Sequence, residues 1–403
     1  MRTSYKCRAY PTFEQESVLN RTFGCVRVVW NRTLAWRHAR YHGEQTRTDF
    51  TQANAYLTAM KASEDLGWLN EVSSVPLQQA IRHQQVAFGN FFAGRARYPR
   101  YKSRNGRQSA EYTRSGFRYR DGRLFLAKTS TPLEFAWSWP DIDPASIDPT
   151  TVTVSRDPCG RWYASFAADV ADPEQLPATG AAAGVDLGIK DFAVTSDGEK
   201  IPNPRGLARR ERNLARYQRR MARCQKGSAN RAKARAKVAR AHRKVRASRA
   251  DFLHRASTRL VRDHDVIVIE DLAVKNMVRN RALAKAISDC GWGEFRRQLA
   301  YKCERAGRRL IVAGRWYPSS KTCSACGHLL AELSLSARHW TCPACGARHD
   351  RDINAAKNIL AAGLAVSACG ADVRHPGSPR MRSAMKQEPQ PVTAGIPVLQ
   401  GGE

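Results

Sequence analysis

Two closely spaced cysteine pairs constrain the C-terminal part of the chain more than any other feature. Cys323 and Cys326 enclose two residues, as do Cys342 and Cys345, and fifteen residues separate the pairs. A CxxC segment presents two thiolates from one tight turn, and Zn²⁺ prefers four such ligands in a tetrahedron. The spacing therefore predicts a zinc ribbon with four cysteine ligands. Because four thiolates leave no open coordination position, we expect the zinc to be structural.

Redox chemistry and coincidence account less well for these cysteines. One CxxC pair would suffice for redox chemistry, and coincidence does not explain two pairs at ribbon spacing. Gly327 and Gly346 follow the pairs, where the turn needs a residue that tolerates positive φ. The remaining seven of the eleven cysteines are scattered, so we expect isolated thiols and no disulfide framework.

The chain is strongly basic. It has 67 Lys and Arg against 36 Asp and Glu, and its formal net charge is +31 over 403 residues. Such a surface repels itself and predicts a polyanionic partner, of which nucleic acid is the best match. No segment approaches the roughly 18 apolar residues of a membrane span, and the N-terminus has no apolar signal region. We therefore expect a protein that is neither secreted nor embedded in a membrane.

The N-terminal half has the sequence pattern of a small sheet interrupted by helices. Residues 5–10 alternate as a strand that ends at Pro11, and helical periodicity follows at residues 19–30 and 77–92. Short β-branched and aromatic runs between residues 109 and 170, separated by turn signals, predict an antiparallel unit. We expect the N-terminal strand to complete this sheet.

A second domain is predicted after a Pro-rich linker at residues 173–180. An apolar run at residues 266–271 is typical of a strand buried in a central sheet. The other predicted elements are a strand–turn–strand at 184–201, a helix at 293–306, a strand at 309–314 and a helix at 353–366. Residues 367–403 are rich in Pro, Gly and Ser without periodicity, and we expect them to be disordered.

Residues 205–250 carry an extreme positive charge, with 18 Lys or Arg and one acid, Glu211. Apolar residues at helical spacing lie on both sides of Gly227, which predicts a helical hairpin with a thin apolar seam. A charge run is usually a solvated helix face, but such faces carry acids as well. We therefore interpret this hairpin as a polynucleotide contact surface.

Three acids lie at the ends of apolar elements. Asp186 shares a strand face with Gly184 and Gly188, which would leave room for an ion and a phosphate. Glu270 ends the apolar run, where burial is costly unless the carboxylate is paired or binds a cation. Asp352 starts a helix, and an N-cap would explain it equally well. Taken together, the three acids favour a metal site.

The chemistry that such a site supports is phosphodiester hydrolysis. Carboxylate oxygens are hard ligands that suit Mg²⁺ or Mn²⁺. Two such ions about 3.5–4 Å apart can activate a water and stabilise the leaving 3′ oxygen. Three carboxylates can bridge two ions and still leave coordination positions for water and phosphate.

The order of these motifs resembles the TnpB family of bacterial and archaeal insertion sequences, which are relatives of miniature type V CRISPR nucleases. The motifs are GVDLGIKDFAVTSDG, VIVIEDLAVKNM, the two CxxC pairs and HDRDINAAKNI, and the resemblance extends over about residues 1–365. It implies an RNA-guided, divalent-metal-dependent endonuclease that cuts double-stranded DNA beside a short adjacent motif. The guide RNA would come from the transposon end, and a separate transposase encoded nearby would be a further partner.

The resemblance also implies an α/β multidomain fold. A RuvC-like nuclease domain of the RNase H fold would span residues 181–366, with a basic helical insert at 205–262 and the zinc ribbon at 319–349. A β-barrel-like wedge domain would comprise residues 1–10 and 106–172, interrupted by a helical recognition lobe at 11–105. The disordered tail would be residues 367–403, and the protein would be cytoplasmic and associated with the nucleoid of a prokaryote.

Residue by residue, the resemblance makes Asp186, Glu270 and Asp352 the catalytic ligands of Mg²⁺ or Mn²⁺, with Asp350 as the alternative third acid. Zn²⁺ would be the structural cofactor. Trp292 and Phe295 could stack on bases, but core packing explains them better. The expected nucleic-acid contacts are Gln79, Arg82, Lys102, Arg216, Arg220, Arg240 and Lys244.

Two further hypotheses remain open from the sequence. A transposase that joins DNA ends can use the same carboxylate chemistry, so the acids do not exclude it. A nucleic-acid-binding repressor descended from the nuclease would be expected to have lost an acid, whereas all three acids are present here. His349 and Arg351 flank the third acid, and we expect His349 to be a surface or supporting residue and not a catalytic one.

Overall fold

A computed structural model describes residues 1–368 apart from Pro173 and Leu335, with side chains up to residue 365. We expected residues 367–403 to be disordered, and residues 369–403 lie outside the described range. Within the described residues every cysteine is free, as expected for isolated thiols and a metal site. No helix in the same part of the chain combines the length and the low polarity required to cross a bilayer.

The chain begins with the predicted strand and three helices. The elements are β1 (Arg2–Tyr10), α1 (Phe13–Glu44), α2 (Phe50–Ala62) and α3 (Ser74–Phe92). Thr12 is the N-cap of helix α1. Its hydroxyl accepts a hydrogen bond from the Gln15 N–H, and the Gln15 amide oxygen accepts one from the Thr12 N–H. This capping box explains why the strand gives way to a helix directly after Pro11. The sequence pattern did not predict helix α2.

Six further strands complete the N-terminal half. They are β2 (Gln108–Thr113), β3 (Phe117–Arg120), β4 (Arg123–Leu126), β5 (Glu134–Ala136), β6 (Pro149–Arg156) and β7 (Trp162–Asp169). The main sheet has the order β2-β6-β7-β1-β5, and β3 pairs with β4 in a separate hairpin. Strand β1 is antiparallel to both of its neighbours, so the N-terminal strand completes the sheet as predicted.

The second half is built on another sheet, with helices inserted between its strands. The elements are β8 (Ala182–Leu187), β9 (Asp191–Thr195), β10 (Lys200–Pro202), α4 (Glu211–Arg223), α5 (Ala229–Asp263), β11 (Val266–Glu270), α6 (Val274–Met277), α7 (Ala284–Cys290), α8 (Trp292–Ala306) and β12 (Arg309–Ala313). The sheet order is β10-β9-β8-β11-β12, with β8, β11 and β12 parallel. The apolar run is thus a central strand, as predicted.

The predicted linker is anchored to this second half. The Asp265 carboxylate accepts hydrogen bonds from the backbone N–H groups of Thr179 and Gly180. The buried Arg308 guanidinium bonds both the Asp265 carboxylate and the Pro177 carbonyl oxygen. Residues 174–180 therefore run over the surface without secondary structure, but charge-assisted hydrogen bonds hold them in place.

The zinc-ribbon region leads directly into the last helix. Strands β13 (His339–Thr341) and β14 (Arg348–Asp350) form an antiparallel pair, and α9 (Arg351–Ala368) follows β14 without a loop. Helix α9 thus begins two residues earlier than the sequence pattern predicted.

The two faces of the second sheet carry different helices. Val185 and Ile269 face a core formed with α5 and α8. Val268, on the opposite face, packs with Ile359 of α9. Because side chains alternate along a strand, Asp186 and Glu270 lie on the face that α9 covers.

The glycines beside Asp186 have a different role from the expected one. A Cβ atom at Gly184 would lie 2.0 Å from the carbonyl oxygen of Ala356 and 2.7 Å from the backbone nitrogen of Leu360, both in α9. A Cβ atom at Gly188 would lie 2.7 Å from the carbonyl oxygen of Asp191. The expectation that these glycines leave room for an ion and a phosphate is wrong, because protein backbone occupies both positions.

The close approach at Gly184 gives a stability prediction. In Gly184→Ala, the new methyl group must displace α9 backbone, and we expect a loss of about 1–3 kcal/mol or more in the free energy of unfolding. The matched control is Gly24→Ala in α1, where no heavy atom lies within 4 Å of the added Cβ. There the better helix propensity of alanine should add up to about 1 kcal/mol. Urea unfolding followed by circular dichroism measures both, and equal midpoints for Gly184→Ala and the parent would contradict the packing described.

Candidate active site and metal centre

Two of the predicted acids lie side by side at one edge of the second sheet. Strands β8 and β11 are parallel neighbours in a register that places Val185 opposite Ile269. The next residue of each strand is therefore an acid, Asp186 in β8 and Glu270 in β11. The Glu270 Oε1 atom accepts a hydrogen bond from the Leu187 N–H at 3.3 Å. The Asp186 and Glu270 carboxyl groups are neighbours at this edge, and Glu270 is among the groups that raise the pKa of Asp186.

The third acid adds its charge to this pair. Burial raises the pKa of Asp186 well above its usual value, and the neighbouring Glu270 and Asp352 carboxyl groups raise it further. Burial also raises the pKa of Glu270. Like charges near one another repel, and a proton or a bound cation relieves that repulsion. The donor set therefore fits a hard divalent cation, since only oxygen ligands converge here.

The acids are more widely spaced than the cysteines. Within the described residues, the four ribbon cysteines form the group whose ligand atoms all lie within 4.8 Å of one another, and the three acids do not form such a group. Two ions about 3.5–4 Å apart spread their ligands over a larger distance than one ion does. The two-ion site that the sequence predicted at these acids therefore stays a prediction.

Asp350 has a clear structural role. Its Oδ1 atom accepts hydrogen bonds from the Asp352 N–H at 3.0 Å and the Ile353 N–H at 3.2 Å, and its Oδ2 atom lies 2.6 Å from Lys200 Nζ. Burial works to raise the pKa of Asp350, but the hydrogen bonds from Lys200 and the backbone outweigh it and hold this pKa below its usual value. Asp350 is therefore the N-cap of α9. The sequence left an N-cap role open for Asp352, but Asp350 fills that role.

Asp352 is left facing the acid pair from the first turn of α9. Its Oδ2 atom lies 3.6 Å from the Arg338 Nη1 atom, a long and partly exposed contact. The sequence did not single out Arg338, which lies near Asp352, or Lys200, which pairs with Asp350. The assignment of Asp186, Glu270 and Asp352 as catalytic metal ligands stays a prediction.

The four cysteines come together in a cluster that could hold a metal ion, as their spacing predicted. The Sγ atoms of Cys323 and Cys345 are 3.7 Å apart, as are those of Cys326 and Cys342. A tetrahedral zinc with Zn–S bonds of about 2.3 Å would separate its ligands by roughly 3.8 Å. Gly327 and Gly346 have φ values of 77° and 73°, as the turns require. The residues present therefore fit a structural zinc ion.

His349 and the aromatic pair of GWGEF have structural surroundings. The His349 Nε2 atom lies 3.1 Å from the Cys323 Sγ atom, and its ring packs on Trp340. His349 is thus in contact with the ribbon, as a supporting residue would be. Trp292 and Phe295 are buried, and the Phe295 ring packs edge-on against Phe192. The core-packing interpretation of this pair is confirmed.

The residues expected to contact nucleic acid fall into two groups. Helices α4 and α5 pack against each other, and each has a buried apolar residue, Leu214 in α4 and Val245 in α5. Exposed basic residues of this hairpin include Arg216, Arg220, Arg240 and Lys244.

The three candidates in the N-terminal half differ in exposure. Arg82 is exposed and lies over the Phe50 ring. Gln79 is buried, and the Lys102 ammonium is partly buried 4.2 Å from the centre of the Trp30 ring. Gln79 and Lys102 therefore have little surface to offer a ligand, and all these contacts stay predictions.

Family models match most of the chain. A model described as "Probable transposase" (OrfB_IS605) matches residues 165–281, and one described as "Cas12f1-like, TNB domain" matches residues 292–359. A third, described as "Helix-turn-helix domain", matches residues 1–46. In the structure, residues 1–46 contain strand β1 and the uninterrupted helix α1, so they contain no helix-turn-helix.

Two relatives match the chain over nearly its whole length. The chain is 54% identical over 403 residues to a "Putative RNA-guided DNA endonuclease" of Streptomyces pristinaespiralis, and the match covers 99% of both chains. It is 32% identical to the "Putative RNA-guided DNA endonuclease InsQ" of Escherichia coli (strain K12), over 96% of this chain and 97% of the relative.

Two solved structures share the fold. The Cas12f1-sgRNA-target DNA complex aligns with a TM-score of 0.56 at 15% identity, covering 86% of this chain and 83% of the other. The mini-RNA-guided endonuclease CRISPR-Cas_phi3 aligns with a TM-score of 0.51 at 9% identity, covering 93% and 94%. The chain thus shares its fold with these two proteins. The full-length relatives show in addition that the chain belongs to the TnpB family, which confirms the resemblance seen in the sequence.

The direction of the Asp186 pKa shift predicts how stability depends on pH. A carboxyl group whose pKa is raised above its unfolded value of about 3.9 stabilises the fold while protonated, and this contribution is lost as pH rises through the folded-state pKa. Without Mg²⁺ or Mn²⁺, Asp186→Asn should therefore unfold at a higher temperature than the parent near neutral pH. The difference should disappear in acid, and thermal unfolding over a pH series measures it.

Asp350→Asn is the control with the opposite sign. Because the pKa of Asp350 is lowered, its stabilising contribution is present above about pH 3.9 and is lost as the pH falls through the folded-state pKa. This variant should therefore unfold at a lower temperature than the parent near neutral pH. If Asp186→Asn were destabilised under the same conditions, the acids would not form the repulsive cluster described here.

Proposed function

We propose that the protein is an RNA-guided, divalent-metal-dependent DNA endonuclease of a transposable element, which cuts target DNA beside a short adjacent motif. The observation that carries the proposal is the half-buried pair of acids, Asp186 and Glu270, with the charge of Asp352 near it. The names of the full-length relatives support RNA guidance. The solved Cas12f1 complex is one with a guide RNA and a target DNA, and we propose both as partners of this chain.

The proposed catalytic core is a RuvC-like nuclease domain that spans residues 181–366. Asp186, Glu270 and Asp352 would hold two Mg²⁺ or Mn²⁺ ions, which supply an activated water and stabilisation of the leaving oxygen. Each acid is presented by a rigid element, two by adjacent strands and one by the first turn of α9. The Leu187 N–H orients Glu270 by a hydrogen bond, and the Asp350 cap holds the turn that carries Asp352.

The remaining regions would handle the nucleic acids. We propose a wedge domain at residues 1–10 and 106–172 and a recognition lobe at 11–105. The basic insert at 205–262 would contact phosphates of the guide RNA or of DNA, because phosphate contacts position a polynucleotide without reading its sequence. Base pairing with the guide would then select the target, while the protein reads duplex geometry and the short motif. A protein with these partners would act at the nucleoid.

Cleavage by purified protein with its co-purified RNA tests the site. Asp186→Ala should abolish cleavage of a guide-matched duplex in Mg²⁺, since one ligand of the proposed ions is gone, while RNA binding persists. The matched control is Asp263→Ala, an exposed acid of α5 that pairs with Arg262 and should leave cutting unchanged. Full cutting by Asp186→Ala would refute the site.

The same assay separates the alternatives. Incubated with transposon ends, a strand-transfer transposase would yield joined DNA products, whereas the proposed nuclease yields cut ends alone. A repressor would bind the RNA and the duplex and leave the duplex intact in Mg²⁺. Sequencing the RNA that co-purifies with the chain identifies the guide used in these assays.

The basic hairpin gives a salt-dependence prediction. Replacing Arg240 and Lys244 together by Gln should lower the slope of log K against log salt for RNA binding by roughly 1.5, from about 0.7–0.9 per lost phosphate contact. The matched control is Arg255→Gln with Arg262→Gln in the same helix, because both arginines already pair with the acids Asp251 and Asp263. Equal slopes for the two double variants would contradict the proposed surface.

A further inference from the structure

Two buried asparagines join the zinc ribbon to helix α9. The Asn358 Nδ2 atom donates to the carbonyl oxygens of Ser319 at 2.7 Å and Thr322 at 2.6 Å. One helical turn earlier, the Asn354 Nδ2 atom donates to the Thr322 carbonyl oxygen at 2.7 Å, and its Oδ1 atom accepts from the Ser324 N–H at 2.9 Å. Asn354 is 1% exposed and Asn358 is 5% exposed.

These amides bond to backbone groups on both sides of Cys323, one of the four expected zinc ligands. Thr322 and Ser324 are the residues on either side of Cys323, which is itself buried. Only a side chain with both donor and acceptor groups can satisfy a carbonyl and an N–H of the same turn, which explains asparagine at position 354. Removing such an amide would leave buried backbone groups without partners.

The ribbon is also joined to α9 on the other side of Asp352. Strand β14 ends at Asp350, the N-cap, and the Arg351 N–H donates to the Arg338 carbonyl oxygen at 2.8 Å in the ribbon. His349 contacts the Cys323 Sγ atom from the same strand. Asp352 therefore lies between two points at which the ribbon is attached to helix α9.

The rest of α9 is held independently of the ribbon. The tight contact with the sheet at Gly184 involves Ala356 and Leu360, and a second one joins Gly363 to Val268. Both lie at least one turn beyond Asp352. Loss of the ribbon would therefore leave most of the helix in place and release its first turn.

We propose that Asn354 and Asn358 are positioning residues that couple the zinc-bound ribbon to Asp352, so that zinc in the ribbon strengthens divalent-ion binding at the acids. This inference rests on the proposed function, because it assigns Asp352 to the ion site. Residues that orient metal ligands through hydrogen bonds typically change metal affinity or activity by 10–100-fold. Here the ligand that is oriented, Asp352, belongs to the acid site, whereas the metal that organises the ribbon is the zinc.

The test is a cycle that combines zinc removal with the double variant Asn354→Ala and Asn358→Ala, in the full chain. Mn²⁺ alone is the probe, and its dissociation constant is measured by electron paramagnetic resonance. With zinc retained at one ion per chain, the double variant should bind Mn²⁺ about 10-fold or more weakly than the parent. Zinc removal should weaken Mn²⁺ binding of the parent by a similar factor and that of the variant hardly at all, because the coupling is already broken.

The matched control is Leu364→Ala, an exposed residue of the same helix, which should bind Mn²⁺ like the parent. Several outcomes would overturn the inference: unchanged Mn²⁺ affinity in the double variant, independent effects of zinc and the variant, or loss of zinc from the variant itself. The last would mean that the amides serve only the ribbon. Since Mn²⁺ binding is measured without DNA, a parent chain that binds Mn²⁺ as expected but fails to cut would refute the proposed function and leave the coupling intact.

Discussion

The close approach of helix α9 to strand β8 determines where the three acids meet. Without a side chain at Gly184, the backbone of the helix lies directly on the strand, and a Cβ atom there would be 2.0 Å from the Ala356 carbonyl oxygen. Ala356 is one turn after Asp352, so this contact sets how far the first turn of the helix extends over the sheet edge that carries Asp186 and Glu270. A bulkier residue would move the third acid away from the other two.

The Asp350 cap and the ribbon complete this arrangement. A helix N-terminus leaves backbone N–H groups unsatisfied, and the Asp350 carboxylate accepts from two of them while Lys200 neutralises its charge. Asp352 thereby remains available to face the acid pair. One acid of the HDRD motif thus serves the fold, and the other is left to the chemistry that we propose.

Much of this could be predicted from the sequence, for identifiable reasons. The cysteine spacing predicts four converging thiolates because ligand geometry is local, and an acid directly after an apolar run predicts a carboxylate at a strand end. The role of Gly184 could not be predicted, since the room beside its strand is filled by a helix from the far end of the domain. The choice between Asp350 and Asp352 also depends on a three-dimensional fact, the position of Lys200. The two asparagines could have been noticed as amides one turn apart on an apolar helix face, but their partners in the ribbon are not visible in the pattern.

At the proposed site, the charge distribution would give divalent ions a second role besides chemistry. The chain is strongly basic overall, yet three carboxylates converge at the sheet edge, and burial raises the pKa of two of them. A polyanion attracted by the basic hairpin would be repelled locally by these acids. A bound cation reverses the sign of the local field and allows a phosphate to approach, whereas a proton shared by the acids removes only part of the repulsion. Ion binding and substrate approach should therefore be coupled, because the phosphate supplies further oxygen ligands to the same ions.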